Sequence, residues 1–343
     1  MIRIEELREN IKKILKEGKV KYIIGYKNST NNFMPVPAFI KDEEDVDKLV
    51  WNPLCIYNLT RFLADEKRKK AKMKNPDERP VAVVVKGCDS RTINVLLQEK
   101  FIHREDVYVV GISCEEKGIV DQKKLAEKLE GQKILNVHFG KKDDFIVTTD
   151  RGKVEVAAQD VLADRCLECS TPVPVVYDVL LGEKTQRKNE PPFKSLEKIE
   201  SLPQEERWAF WRKQLQKCIR CYACRSACPM CYCDECVVDS INLAVTADTS
   251  AEEKAQTIRW IEKSPLFSEN FIYHFVRALH LAGRCVDCGE CERVCPLSIP
   301  IRFLNKKLEK EAKELFGYEV GLDPEQPSLV SSFRDEDPED FIR

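Results

Sequence analysis

One cysteine pattern occurs twice in this chain, and it constrains the fold more than any other feature. CIRCYACRSACP at 218–229 and CVDCGECERVCP at 285–296 both read C-x2-C-x2-C-x3-C-P. In such paired runs the first three thiolates wrap one iron–sulfur cube, and the fourth ligates the other cube. The spacing therefore predicts one [4Fe–4S] cluster on Cys218, Cys221, Cys224 and Cys295. It predicts a second on Cys285, Cys288, Cys291 and Cys228. Structural zinc prefers paired C-x2-C knuckles to this triple-plus-one spacing. The stretch between the runs is too long for a compact hairpin ferredoxin and reads as helical. Ser250 and Glu253 form a capping box ahead of AEEKAQTIRWIEK. SENFIYHFVRALHLAG places Phe271, Phe275 and Leu279 on one stripe, with Gly283 as its stop. IPIRFLNKKLEKEAKELFG follows the second run as a further helix ending at Gly317. His274 and His280 are not expected as ligands, because the run beside them supplies its own thiolates. His103 and His138 read as surface or core residues.

The chain carries 16 cysteines in all. It shows no apolar leader segment and no apolar stretch long enough to span a bilayer. A cytoplasmic location is expected, where thiols stay reduced and cysteines serve as metal ligands rather than disulfides. The net charge of −2 offers no reason to expect nucleic acid as a partner. The expected organisation is an α/β domain with a mostly parallel sheet at 1–182, followed by a polar, proline-containing linker at 183–207. An all-α domain with two [4Fe–4S] clusters at 208–317 comes next, and 318–343 reads as an acidic arm, flexible or partner-binding. The basic residues Arg212, Lys213, Lys217, Arg220 and Arg225 read either as a dock for an acidic partner or as a solvated helix face.

In the N-terminal half, VAVVV (81–85) has the continuous apolar character of a buried parallel strand. SRTINVLLQEKF follows as a helix with Ser90 as its cap, then VYVVGI (107–112) as a second strand. Cys88 and Cys114 fall just past the two strands, where parallel sheets place their ligands. Cys166 and Cys169 form a C-x2-C pair further on. Buried thiols are the plain alternative for each cysteine alone. Together these four suggest a third [4Fe–4S] cluster. The turn Lys86, Gly87, Cys88, Asp89, Ser90, Arg91 reads as a phosphate site or, equally, as an ordinary capped helix start. No G-x-G-x-x-G occurs, so a Rossmann dinucleotide site is not expected.

VVVKGCDSR, VVGISC and RCLECSTPVPVVYDVLLGE, in that order, resemble the beta-subunit family of coenzyme F420-reducing hydrogenases and dehydrogenases. Asp178 and Gly182 of YDVLLG match a similar Asp and Gly there. The resemblance covers about residues 20–185 and implies FAD and an iron–sulfur cluster in this domain, joining hydride chemistry to single-electron transfer. In the family's hydrogenase members the ferredoxin segment precedes this domain; here it follows. The half at 208–317 resembles the α-helical ferredoxin domain of fumarate reductase iron–sulfur subunits and heterodisulfide reductase C-type subunits. Together the resemblances imply an electron-transfer subunit of an anaerobic oxidoreductase. Its partner would be a hydrogenase, a formate dehydrogenase or a heterodisulfide reductase-like enzyme, with coenzyme F420, NAD(P) or ferredoxin as carrier. The alternative is a flavin-free conduit with no catalytic site.

Cys55, Cys231, Cys233 and Cys236 are left over. By number they suffice for a fourth cubane joining the two halves. Zinc, a site completed by a partner, and packed thiols are the other readings.

Overall fold

The computed structural model describes residues 4–30, 34–114, 118–140, 143–184, 191–234, 236, 238, 250–252, 264–330 and 332. The helix expected at 251–263 lies almost wholly outside them. Backbone contacts divide the chain into two units. One is Met1–Ser195 with Val286–Cys288 and Glu319–Phe333. The other is Leu196–Cys285 with Gly289–Tyr318 and Arg334–Arg343.

The first unit is built on a five-stranded sheet. Its strands are β1 (Tyr22–Asn28), β2 (Pro35–Ile40), β3 (Val81–Val85), β4 (Val107–Ile112) and β8 (Val179–Leu181). They lie in the order β2-β1-β3-β4-β8. Only β1–β2 is antiparallel; β1–β3, β3–β4 and β4–β8 are parallel. All five residues of β3 are buried, which is why it reads as a continuous apolar run. Helix Ile4–Lys16 buries Leu7, Ile11 and Ile14 at helical spacing. A second, antiparallel sheet was not foreseen: β5 (Ile134–Phe139), β6 (Asp144–Thr149) and β7 (Gly152–Ala157), with β6 in the middle. Phe145, Val147 and Val156 pack with Leu125, Leu129 and Val161 beneath it.

Two further departures concern the chain's punctuation. The linker expected at 183–207 contains helix Lys194–Glu200 and the start of helix Gln204–Leu215. Leu196 and Ile199 are buried there, so apolar anchors override the polar composition. The arm expected from 318 is held rather than free over its first residues. Helix Gly87–Gln98 offers donors one and two turns apart. Arg91 Nε donates to the Val320 carbonyl (2.8 Å), Asn94 Nδ2 to Gly321 (3.0 Å), and Gln98 Nε2 to Asp323 (2.7 Å). Val320 is fully buried.

The second unit is helical over its described residues. Its longer helices are Gln204–Leu215, Phe267–His280 and Ile301–Phe316, the last closed by Gly317 at φ +60°. Short helices Ala223–Ala227 and Glu290–Arg293 sit inside the cysteine runs. Among the described residues no helix is long and apolar enough to cross a membrane.

Candidate iron–sulfur centres

In the α/β unit, β3 and β4 pair in parallel with Val85 opposite Gly111, so their carboxyl ends lie side by side. The Cys166–Val175 loop is tied across those ends. Cys114 N donates to the Pro172 carbonyl (2.9 Å), and Val175 N to Ser90 Oγ (2.9 Å). Gly87 is the contact point: a Cβ there would stand 1.8 Å from the Thr171 carbonyl oxygen. The loop therefore brings Cys166 and Cys169 to the strand ends that carry Cys88 and Cys114. Burial pushes the Cys114 thiol up to about 12, and the neighbouring Cys169 and Cys166 add to the shift. Burial also pushes Cys88 well above its ordinary value, with Asp89 and Cys114 adding and Arg165 and Lys86 opposing. These raised thiols measure the cost of burying thiolates without a cation, which a positively charged iron core offsets. The quartet fits a cluster.

The 86–91 turn is closed to an anion. Helix Gly87–Gln98 starts one turn earlier than its expected Ser90 cap. Lys86 holds the cap position, and Asp89 accepts from the Lys86 backbone N–H (3.1 Å). Ser90 lies inside the helix and donates to the Gly87 carbonyl (2.7 Å). The Lys86 ammonium is buried against Asp89 (2.8 Å), Tyr26 Oη (2.9 Å) and the Tyr57 carbonyl (2.7 Å). Burial alone would lower the Lys86 pKa, but Asp89 and Tyr26 hold it well above the usual value. Arg91 is committed to Val320. Lys86, Gly87, Asp89, Ser90 and Arg91 thus form an internally compensated joint and do not fit a flavin phosphate. Asp178 is likewise a structural clasp. It accepts from Arg104 Nη2 (2.7 Å) and from Val109 N (2.6 Å) on β4, while Gly182 takes φ +85°.

In the helical unit one small cavity is lined by Cys218, Cys221, Cys224 and Cys295, together with Arg220, Tyr273, His274 and Ile299. All four thiols expected for the first ferredoxin cluster meet there, one of them from the far run. Backbone N–H groups already point at two of the sulfurs: Arg220 N at Cys218 Sγ and Ile299 N at Cys295 Sγ, both 3.4 Å. The two runs repeat one backbone device. Left-handed residues stand before and after the second cysteine of each, Arg220 (φ 56°) and Tyr222 (φ 59°) in the first, Asp287 (φ 53°) and Gly289 (φ 68°) in the second. Such turns aim successive N–H groups inward at an anion. Of the second quartet, Cys228 and Cys291 are buried and Cys285 half-buried in this unit. Asn305 Nδ2 approaches Cys291 Sγ at 4.0 Å. Cys288 lies in the stretch Val286–Cys288, which groups with the α/β unit. Among the described residues, no three His, Cys, Asp or Glu side chains close to the spacing of a single metal ion. A mononuclear zinc site requires that spacing, whereas a cubane holds its thiolates farther apart.

Helix Phe267–His280 corrects the sequence reading. Phe275 and Leu279, read there on one apolar stripe, are 51% and 45% exposed. The buried face is polar: Asn270, Tyr273, His274 and Arg277. Asn270 Nδ2 bridges the Leu215 and Cys218 carbonyls (3.1 and 2.8 Å). His274 Nε2 lies 3.4 Å from Cys218 Sγ, and Tyr273 Oη 3.9 Å from Cys224 Sγ. Arg277 Nη2 donates to the Cys224 carbonyl (3.0 Å). Polar residues at i, i+3, i+4 and i+7 were the available signal. Arg220, read among the exposed basic residues, is 5% exposed and packs over the Tyr273 ring at 4.4 Å.

Of the leftover cysteines, Cys55 is fully buried in the first unit. Asn52 N donates to its sulfur (3.4 Å), and the Val50 carbonyl lies 3.9 Å away. These are the surroundings of a packed thiol. Cys231, Cys233 and Cys236 lie in the second unit, with Cys233 exposed and Cys231 hydrogen-bonded to Cys228.

An α/β unit with four converging thiols and a helical unit with paired cysteine runs define a multicluster iron–sulfur protein. Residues 78–197 belong to the family defined by the C terminus of the coenzyme F420 hydrogenase/dehydrogenase beta subunit, and residues 214–299 to the 4Fe-4S dicluster domain. Two relatives align along almost the whole chain. The F420-dependent formate dehydrogenase subunit beta of Methanocaldococcus jannaschii is 22% identical, over 93% of this chain and 92% of that one. The F420-dependent formate dehydrogenase 1 subunit beta of Methanococcus maripaludis is 24% identical, over 93% and 91%. A chain of the F420-reducing [NiFe] hydrogenase complex from Methanosarcina barkeri aligns over 50% of this chain and 58% of that one. Its TM-score of 0.37 and 18% identity carry no argument.

Proposed function

We propose that this chain is an iron–sulfur electron-transfer subunit of an oxidoreductase complex. The convergence of Cys218, Cys221, Cys224 and Cys295 on one cavity carries this reading, because the fold draws the fourth thiol from a run more than sixty residues away. Bound there, a [4Fe–4S] cluster supplies single-electron chemistry. The protein's own part is to hold the thiolates, exclude water and aim N–H donors at the sulfurs, which stabilises the extra negative charge of reduction. The Cys228, Cys285, Cys288, Cys291 quartet would hold the second cluster. Cys88, Cys114, Cys166 and Cys169 would hold a third in the α/β unit.

Likeness to formate dehydrogenase beta subunits supports a formate dehydrogenase or related hydrogenase assembly as the partner, with coenzyme F420 as the two-electron carrier. The closed 86–91 turn favours the flavin-free conduit over a flavin held at that point. Cys295→Ser in the anaerobically purified chain tests the reading. It should remove the signal of one reduced cluster by electron paramagnetic resonance while the others persist. Unchanged spectra would remove Cys295 from the ligand set. Flavin content of the same preparation separates the two carrier readings.

A further inference from the structure

Arg277 is 3% exposed, on the inner face of helix Phe267–His280. A guanidinium cannot lose its charge, so one buried this deeply needs negative charge beside it. Among the described residues no carboxylate pairs with it. Its surroundings are sulfur: the thiols of Cys231, Cys224, Cys228 and Cys291 act on it most strongly. Nη2 is anchored to the Cys224 carbonyl (3.0 Å), while Nε has no hydrogen-bond partner. These cysteines belong to different clusters. Cys224 falls in the first ferredoxin quartet, Cys228 and Cys291 in the second. The cation is therefore built into the ground between two anionic centres, with one donor unspent.

We propose that Arg277 is the shared counter-charge of the two ferredoxin clusters, a positioning residue that favours their reduced states and eases their double reduction. The inference rests on the two-cluster reading above. Reduction adds one electron to each cluster and so deepens its negative charge. A fixed cation between the two stabilises each reduced form, and it screens the repulsion that the second electron meets from the first. Without it, both couples become more negative and the gap between them widens. The backbone N–H donors at Cys218 and Cys295 serve the first cluster only, so they cannot supply this joint effect.

The test is an anaerobic redox titration of the full chain followed by electron paramagnetic resonance, with iron counted in every sample. Arg277→Met removes the charge, and Arg277→Lys keeps it. In Arg277→Met both ferredoxin couples should lose at least tenfold in their reduction equilibria, about 59 mV for a one-electron couple. Arg277→Lys should stay close to the parent. If Arg277→Met loses iron while Arg277→Lys retains it, charge is again the requirement and the proposal stands. Unmoved potentials at full iron content would overturn it, as would a shift confined to one cluster or equal iron loss in both variants. Absence of iron in the parent chain would instead overturn the two-cluster reading itself.

Discussion

At Gly87 the Thr171 carbonyl presses on the helix where a side chain would begin. Gly87→Ala places a Cβ 1.8 Å from that oxygen, so the loop carrying Cys166 and Cys169 must retreat. Overpacking of this kind costs about 1–3 kcal/mol. The expected outcome is that cost in urea unfolding, together with iron loss from the α/β quartet. The neighbouring pair Lys86–Asp89 is buried to 3% and 1% side-chain exposure. Asp89→Asn leaves the ammonium without its counter-ion and should destabilise the chain by about 3–5 kcal/mol in the same assay. Cys55 yields a pH dependence. Burial pushes its thiol up to about 12. Between the ordinary thiol pKa and that value, the folded state keeps a proton that the unfolded state has lost. Its contribution is complete at neutral pH and falls as pH rises through that window, by up to about 1.4 kcal/mol per unit. Cys55→Ala should flatten the alkaline limb of the stability curve, and Cys55→Ser should leave iron content unchanged. A loss of four irons in Cys55→Ser would instead uphold a fourth cluster.

Helix Phe267–His280 shows at the scale of an element how far patterning reaches. Its bounds were legible from composition, but its orientation was not. Apolar periodicity assumes that the buried face meets hydrocarbon. Here it meets cysteine thiols and turn carbonyls, and these take Asn270, Tyr273, His274 and Arg277 inward. Asn270→Leu keeps the volume but strands the Leu215 and Cys218 carbonyls. The expected cost is about 1–3 kcal/mol by thermal or urea unfolding, with a changed spectrum for the first cluster. β3, β4 and the helix between them were legible because a strand buried on both faces has few alternatives. The β6–β7 hairpin carried a period-2 signal, DFIVTT followed by GKVEVA, which went unread beside the cysteine motifs.

For the whole molecule, the cysteine spacing divided the chain into an α/β part and a helical ferredoxin part, as observed. Spacing did not foresee where 319–330 would go, because that choice depends on donors from Arg91, Asn94 and Gln98 far away in sequence. The same three-dimensional accounting separates the cysteines. Cys88, Cys114, Cys166 and Cys169 converge, whereas Cys55 is enclosed by its own loop. Iron, acid-labile sulfide and zinc per chain, measured after strictly anaerobic purification, test the central claim most directly. The account predicts about twelve iron atoms, three cubes of four, with matching sulfide and no stoichiometric zinc. Zinc in place of iron, or fewer than about eight irons per chain, would contradict it.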